Sequence, residues 1–237
     1  MHIHPDIAEL RRFYSSPFGE AVRRDIAQAL HRHWQDARGL QMVGVGFALP
    51  YLGHYLPHAY SVISLMLPHM GAIYWPTDGL NHSILMDQSA FPLRDESVDR
   101  ILVVHAIEHS PHLHTMIQEL YRIMRVGGRV LFVVPNRTGL WSRQRNNPFG
   151  YGHPYYRMQL QHRGELAGFT FVGVSSALYY PPTTWRSALY SSRYIEPLGR
   201  AILPRQGGVL IVEMEKQIYA GITESAPIPH INPIVVG

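Results

Sequence analysis

Cysteine is absent from this 237-residue chain, so disulfides and thiolate metal sites are excluded. Lysine is almost absent as well: Lys216 is the only one, and arginine carries nearly all the positive charge. No apolar run reaches the roughly 18 residues of a membrane-spanning helix. The opening Met1-His2-Ile3-His4-Pro5-Asp6 has no positive segment followed by an apolar one. No secretory signal is therefore expected, and the cytoplasm is the expected compartment. There is no Gly-x-Ser-x-Gly, which argues against a serine hydrolase, and no Asn/Asp-Pro-Pro-Tyr of the kind used in base flipping. With a single lysine and no RNA-binding signature, a nucleic-acid partner is not expected.

What is present is a globular composition, 46% hydrophobic and 16% charged, in a length that one large α/β domain can bury around a core. The net charge of +4 is unevenly placed. Residues 137–205 hold nine arginines (137, 143, 145, 157, 163, 186, 193, 200 and 205) against Glu165 and Glu196, which makes that stretch +7 and the rest of the chain −3. An arginine-rich, tyrosine-laced stretch suits an anionic partner, or simply a solvated face whose guanidinium groups pack on the tyrosines.

Strand and helix patterns alternate along the chain. Residues 6–14 read as a helix with Ile7, Leu10 and Phe13 on one face. Ser16-Pro17 starts a second, reaching about Trp34, with Gly39 as its stop. Short apolar strands are expected at Val43–Gly46, Tyr60–Leu65, Ser83–Met86 and Ile101–Val104. A helix from Ser110-Pro111 carries a stripe of Leu113, Met116, Ile117, Leu120 and Met124, with Gly127 as its stop. Strands at Val130–Val134, Phe169–Val174 and Val209–Met214 and a helix over about 155–166 complete the pattern. This succession predicts an α/β fold with a doubly wound, mostly parallel sheet. A single domain is expected over 1–220: N-terminal helices (1–39), a core (40–178), an insert (179–206) and a last strand (207–220), followed by a tail (221–237).

Four motifs punctuate the core. They are Gln41-Met42-Val43-Gly44-Val45-Gly46-Phe47-Ala48, then Met86-Asp87-Gln88-Ser89-Ala90-Phe91-Pro92-Leu93, then Ser97-Val98-Asp99-Arg100-Ile101-Leu102-Val103-Val104-His105-Ala106-Ile107-Glu108-His109, and finally Glu119-Leu120-Tyr121-Arg122-Ile123-Met124-Arg125-Val126-Gly127-Gly128. In this order and spacing they resemble the class I S-adenosylmethionine-dependent methyltransferases, in the branch called methyltransferase type 11, over roughly residues 40–176. The resemblance implies a seven-stranded Rossmann-like sheet with its last strand antiparallel, and S-adenosyl-L-methionine as cofactor. It assigns cofactor binding to Gly44, Val45, Gly46 and Ala48 at the first turn, to Asp87 and Gln88 after the third strand, and to Trp75 as a ring that could stack on adenine. Each has a plainer reading: a tight turn, an aspartate capping a turn, a half-buried aromatic at a sheet edge.

Two acids common in that family are missing. The position two before the first glycine is Met42, and no carboxylate stands near Ser64 to Met66, where the ribose hydroxyls would be held. Hydrogen bonds to a charged acceptor contribute about 1.5–3 kcal/mol each, so losing both weakens affinity by about a hundredfold or more. A nicotinamide enzyme is not expected either, because Leu49 fills the third glycine position of Gly-x-Gly-x-x-Gly.

Ligands of open parallel sheets sit beyond the carboxyl ends of the strands, which puts His105, Glu108 and His109 where methyl transfer would occur. Histidine can take the acceptor's proton near neutral pH, with Glu108 orienting it or serving as a second base. A metal held by these three is not expected, since three residues in five on one loop rarely converge. The pairs His31/His33, His54/His58 and His112/His114 form no complete ligand set and read as surface histidines. The acceptor, small or lipid-like and suited to anionic or aromatic chemistry, would lie over the insert and the loop 136–152, near Tyr155, Tyr156, Arg157, Tyr179, Tyr180, Trp185, Tyr190, Arg193 and Tyr194. The competing reading is a catalytically silent methyltransferase-fold protein that docks a protein partner there, as a homo-oligomer or in a hetero-complex.

Overall fold

A computed structural model describes residues 4–182, 195–204 and 206–217. Trp185, Arg186, Tyr190, Arg193, Tyr194, Arg205 and the tail lie outside these residues.

Seven strands form one sheet: β1 (Gln41–Gly46), β2 (Ser61–Met66), β3 (Ser83–Leu85), β4 (Val98–Val104), β5 (Met124–Pro135), β6 (Phe169–Ala177) and β7 (Val209–Lys216). Their order is β3-β2-β1-β4-β5-β7-β6. β1 to β5 are parallel to their neighbours, and β7 slots antiparallel between β5 and β6. This is the Rossmann-like, doubly wound architecture expected from the sequence. The chain winds outward from β1 to β3 and returns to β4, so the switch point falls between the carboxyl ends of β1 and β4, where Gly46 pairs with Val104.

The burial follows the sheet's two covered faces. Five of six residues in β1, the last four of β4 and the last six of β5 are buried, as continuous β-branched and leucine runs demand when both faces are packed. Two helices precede the sheet. Helix α1 (Ile7–Tyr14) is closed by an Asp6–Glu9 capping box. Helix α2 (Pro17–His33) starts on Ser16, whose hydroxyl accepts from the Gly19 N–H, and buries Val22, Ile26, Ala29 and Leu30 along one stripe. The C-terminus of α2 is pinned to β7: Glu213 accepts from Trp34 Nε1 (3.1 Å) and meets His33 Nδ1 (2.8 Å) and Arg129 Nη1 (3.4 Å). His33, expected at the surface, is therefore a hydrogen-bond partner of a buried carboxylate.

Several expected boundaries move. Helix α2 ends at His33 with Trp34 as its cap, as expected, so Gly39 lies beyond the helix in the following turn. A one-turn helix α3 (Leu49–Leu52) follows β1 and had no clear sequence signal. Helix α4 spans Leu113–Ile123, and Met124 already belongs to β5, so Gly127 lies inside a strand rather than ending a helix. The cause is a bulge: Val98 pairs with Met124 while Arg100 pairs with Arg129, and residues 125–128 loop out between them. Helix α5 covers Arg157–Leu166, and a further helix occupies residues 195–202. Among the described residues no helix is long and apolar enough to cross a membrane.

Candidate functional site

The first turn of the cofactor motif is entirely enclosed: residues 42–49 are all buried. Gly46 has φ +77°, and a Cβ there would stand 2.3 Å from the Val104 carbonyl oxygen, so the crossing of β1 over β4 requires glycine. At Gly44 a Cβ would strike Leu52 at 2.5 Å and Ala48 at 2.8 Å, so this glycine lets α3 press onto the strand. Val45 and Ala48 are fully buried within the core. Both glycines thus serve the protein's own packing.

The third-strand turn is different. Asp87 is exposed and closes a turn by accepting from the Ser89 N–H (2.7 Å), which with the Ser89 hydroxyl holds its carboxyl below the usual range. Gln88 Oε1 accepts from Ser110 Oγ at 2.8 Å, linking this turn to the loop after β4. Trp75 is half-buried and meets His82 edge-on, 6.2 Å between centroids.

Beyond β4 the chain turns sharply. His105 adopts φ +52°, an uncommon left-handed conformation for a residue with a side chain, and is completely buried. Its Nε2 lies 2.9 Å from the Tyr14 hydroxyl, which also accepts from Tyr51 at 3.2 Å. Its Nδ1 is 3.3 Å from Glu108 Oε1, close but not aligned as a hydrogen bond. A 3-10 turn, Ile107–His109, follows; Tyr155 donates to the Ile107 carbonyl and the His153 N–H to the Glu108 carbonyl.

Both carboxylate oxygens of Glu108 and Nε2 of His109 are buried without a hydrogen-bond partner among the described residues. Burial raises the Glu108 carboxyl, but the neighbouring His105 and His109 rings outweigh it and hold it below the usual range. Burial lowers the His109 imidazole to about 4, against the opposing pull of Glu108. At neutral pH the pair is therefore a carboxylate beside a neutral imidazole. His109 Nδ1 lies 3.1 Å from Nδ1 of His4, whose ring packs 5.1 Å from His69.

This pair forms part of the wall of a cleft of about 970 Å³, together with His4, Glu9, Arg145 and His153, a size suited to a small organic ligand. The loop over it presses close: a Cβ on Gly152, at φ +74°, would meet the Glu108 carbonyl oxygen at 2.5 Å and the His109 ring at 2.7 Å. Among the described residues no group of three or more ligating side chains could hold a metal.

The structure thus brings Glu108 and His109 together at a cleft and sets His105 behind them, walled off from solvent. Tyr14, Tyr51, His4 and His69 join the site without any sequence motif announcing them. Tyr155 and Tyr180, read as acceptor contacts, are core residues, 3% and 2% exposed, whereas Tyr156 is half exposed.

Residues 43–132 match the family model described as "Methyltransferase domain". Over this stretch the chain is similar to the class I S-adenosylmethionine-dependent methyltransferases. Among solved structures it is similar to a SAM-dependent methyltransferase of Thermotoga maritima (17% identity, 89% of this chain and 96% of that one, TM-score 0.64). It is similar to another from Archaeoglobus fulgidus (17%, 86% and 96%, TM-score 0.59). A third likeness is a methyltransferase-fold chain from a Haloferax volcanii complex of the Trm112 activator with its methyltransferase (16%, 89% and 98%, TM-score 0.60). No curated protein matches. At these identities the likenesses carry the fold alone.

S-adenosylmethionine is the cofactor this domain implies. The residues fit it unevenly. Asp87 and Gln88 offer exposed and half-exposed polar groups where the adenine edge would lie. The positions of the two missing acids hold buried Met42 and Met66, and the Ser64 hydroxyl beside them is buried without a partner. Neither β1 nor β2 therefore presents a carboxylate at these positions.

Proposed function

We propose that this chain transfers a methyl group from S-adenosylmethionine to an oxygen or nitrogen of a small or lipid-like acceptor seated in the His109–Glu108 cleft. The observation that carries the reading is a buried carboxylate and the Nε2 of a neutral imidazole, both without a hydrogen-bond partner among the described residues, in the wall of one cleft beyond the carboxyl end of β4. The cofactor, when bound, supplies an electrophilic methyl on a sulfonium. Asp87 and Gln88 hold the adenine edge, and Gly44, Val45, Gly46 and Ala48 shape the turn beneath the cofactor, with Trp75 at its rim. The neutral His109 takes the proton that the acceptor gives up as the new bond to carbon forms. Glu108 accepts a hydrogen bond from the acceptor or from His109 and stabilises the imidazolium. His105, fixed by Tyr14, is a positioning residue that orients Glu108. The loop at Gly150–His153 excludes water from the floor of the cleft. The cytoplasmic location expected from the sequence is part of this proposal.

A second reading has its own support. The apolar residues at both acid positions favour a catalytically silent subunit that binds a protein partner, and a likeness to a chain found with an activator protein is consistent with it. Calorimetric titration with S-adenosylmethionine and S-adenosylhomocysteine separates the two. Binding in the micromolar to millimolar range, weakened at least tenfold by Asp87→Ala, supports the enzyme. No heat and no thermal shift at millimolar ligand overturns it in favour of the silent subunit.

A further inference from the structure

A second cavity, of about 490 Å³, opens beside the carboxyl ends of β5 and β6, with Asn136, Thr138, Arg157, Met158, Val174 and Leu210 in its wall. It shares no lining residue with the Glu108–His109 cleft. Among the described residues its walls combine Arg157 with the polar Asn136, Thr138 and Ser176 and with apolar side chains. The Arg157 guanidinium lies over the Phe171 ring, 5.2 Å from its centroid, and its Nε is buried with no hydrogen-bond acceptor among the described residues. Arg157 is in none of the ion pairs formed by the described residues, nor is Arg137, which covers Tyr156 at the mouth, 5.3 Å from the ring centroid.

The nearby carboxylates are engaged elsewhere. Glu196 is buried and accepts from the Leu178 and Tyr179 N–H groups at 2.9 and 2.8 Å. Glu165 accepts from Gln161 at 2.8 Å. Two of the cavity's lining side chains, Tyr156 and Met158, are half exposed or more, and Leu198, Ile202 and Leu203, also exposed, lie a few residues before Pro204 of the cavity wall in the chain.

A buried guanidinium N–H without an acceptor is costly, and its planar fork matches a carboxylate or phosphate better than any neutral group. Val174, Leu210, Met158 and Pro204 offer an apolar chain a surface that a polynucleotide or sugar phosphate would not use. We propose that this cavity is a binding site for an amphiphilic anion, a carboxylate or phosphate head on Arg157 with an alkyl chain along Val174, Leu210 and the exposed rim. The ligand comes either as a free amphiphile or as the headgroup end of an anionic lipid, and the chemistry is shared.

Calorimetric titration with n-octyl phosphate and octanoate below their micellar concentrations tests it. Both are expected to bind at least tenfold more tightly than inorganic phosphate or n-octyltrimethylammonium. Arg157→Gln should lower the affinity at least tenfold. Met158→Asp, on the exposed rim, should do likewise with an unchanged unfolding midpoint, and covers the case in which the arginine variant is unstable. Cosedimentation with phosphatidylglycerol against phosphatidylcholine vesicles assigns the source. Retention on the anionic vesicles alone, lost in Arg157→Gln, points to a lipid. No retention, with octyl phosphate still bound in solution, points to a free amphiphile. Absence of heat with octyl phosphate at millimolar concentration, equal binding of the cationic amphiphile, or unaltered binding in both folded variants overturns the proposal.

Discussion

Gly46 and Tyr14 show how differently single residues declare themselves. Gly46 is conspicuous in the sequence as the second glycine of a turn, and the structure gives it a steric reason, the Val104 carbonyl 2.3 Å from where a Cβ would stand. Gly46→Ala should therefore destabilise by more than about 3 kcal/mol through both strain and collision. Urea unfolding checks this, and a loss below 1 kcal/mol would contradict the packing argument. Tyr14 has no such signal. It is one aromatic on an amphipathic helix, yet its hydroxyl meets both Tyr51 and His105, the latter 91 residues away in sequence. Burial and the hydroxyl of Tyr51 raise its own pKa well above the ordinary value, so it stays a neutral donor. Tyr14→Phe leaves a buried imidazole nitrogen without its partner and should cost about 1–3 kcal/mol. If His105 orients Glu108, the same variant should also lower the methyl-transfer rate more than it raises the acceptor KM. A change in stability alone would reduce Tyr14 to a structural role.

At the scale of elements, caps and stripes were readable and tertiary ties were not. Ser16-Pro17 marks the start of α2 because the capping hydroxyl and the proline are local chemistry. Ser16→Ala should cost about 0.5–2 kcal/mol, seen as a lower unfolding midpoint without change in the urea slope. The end of α2 is set instead by Glu213, which lies 179 residues from Trp34 and gathers Trp34, His33 and Arg129 onto one carboxylate. Glu213→Ala leaves the Trp34 indole N–H and His33 Nδ1 without their acceptor and Arg129 with Glu215 alone, and a loss of about 3–5 kcal/mol is expected. A loss near zero in equilibrium unfolding would show that water replaces the carboxylate there. The bulge at 125–128 belongs to the same class. Gly127-Gly128 reads as a helix stop, and only the register between β4 and β5 places it inside a strand.

For the molecule as a whole, buried His109 and the neighbouring His69 couple stability to pH. Burial lowers His109 to about 4, and burial together with His4 lowers His69 as well. Unfolded histidine titrates near 6.5. Between about 6.5 and 4 the unfolded chain therefore binds protons that the folded chain does not. The stability His109 contributes is complete above pH 6.5 and disappears as the pH falls through 4, and His69 acts in the same direction. For His109 the span corresponds to a loss on the order of 3 kcal/mol. Scanning calorimetry should find a steady midpoint above pH 7 that drops toward pH 4.5, with a shallower drop in His109→Gln. A midpoint that rises with acidity would show that the pair is stabilised, not strained, by protonation.

The succession of strands and helices and the doubly wound sheet were legible in the sequence itself, because they rest on local periodicity, and the antiparallel last strand followed from the resemblance carried by the four motifs. The third-strand turn with Asp87 and Gln88 was legible for the same reason. The tertiary structure alone decided that His105 lies sealed behind Tyr14 while His109 and Glu108 floor a cleft, and that Arg157 sits in a second cavity. Those outcomes depend on which distant side chains reach a buried polar atom. Desolvation makes that choice, and it is settled only when the N-terminal helices and the loop after β5 close over the carboxyl edge of the sheet.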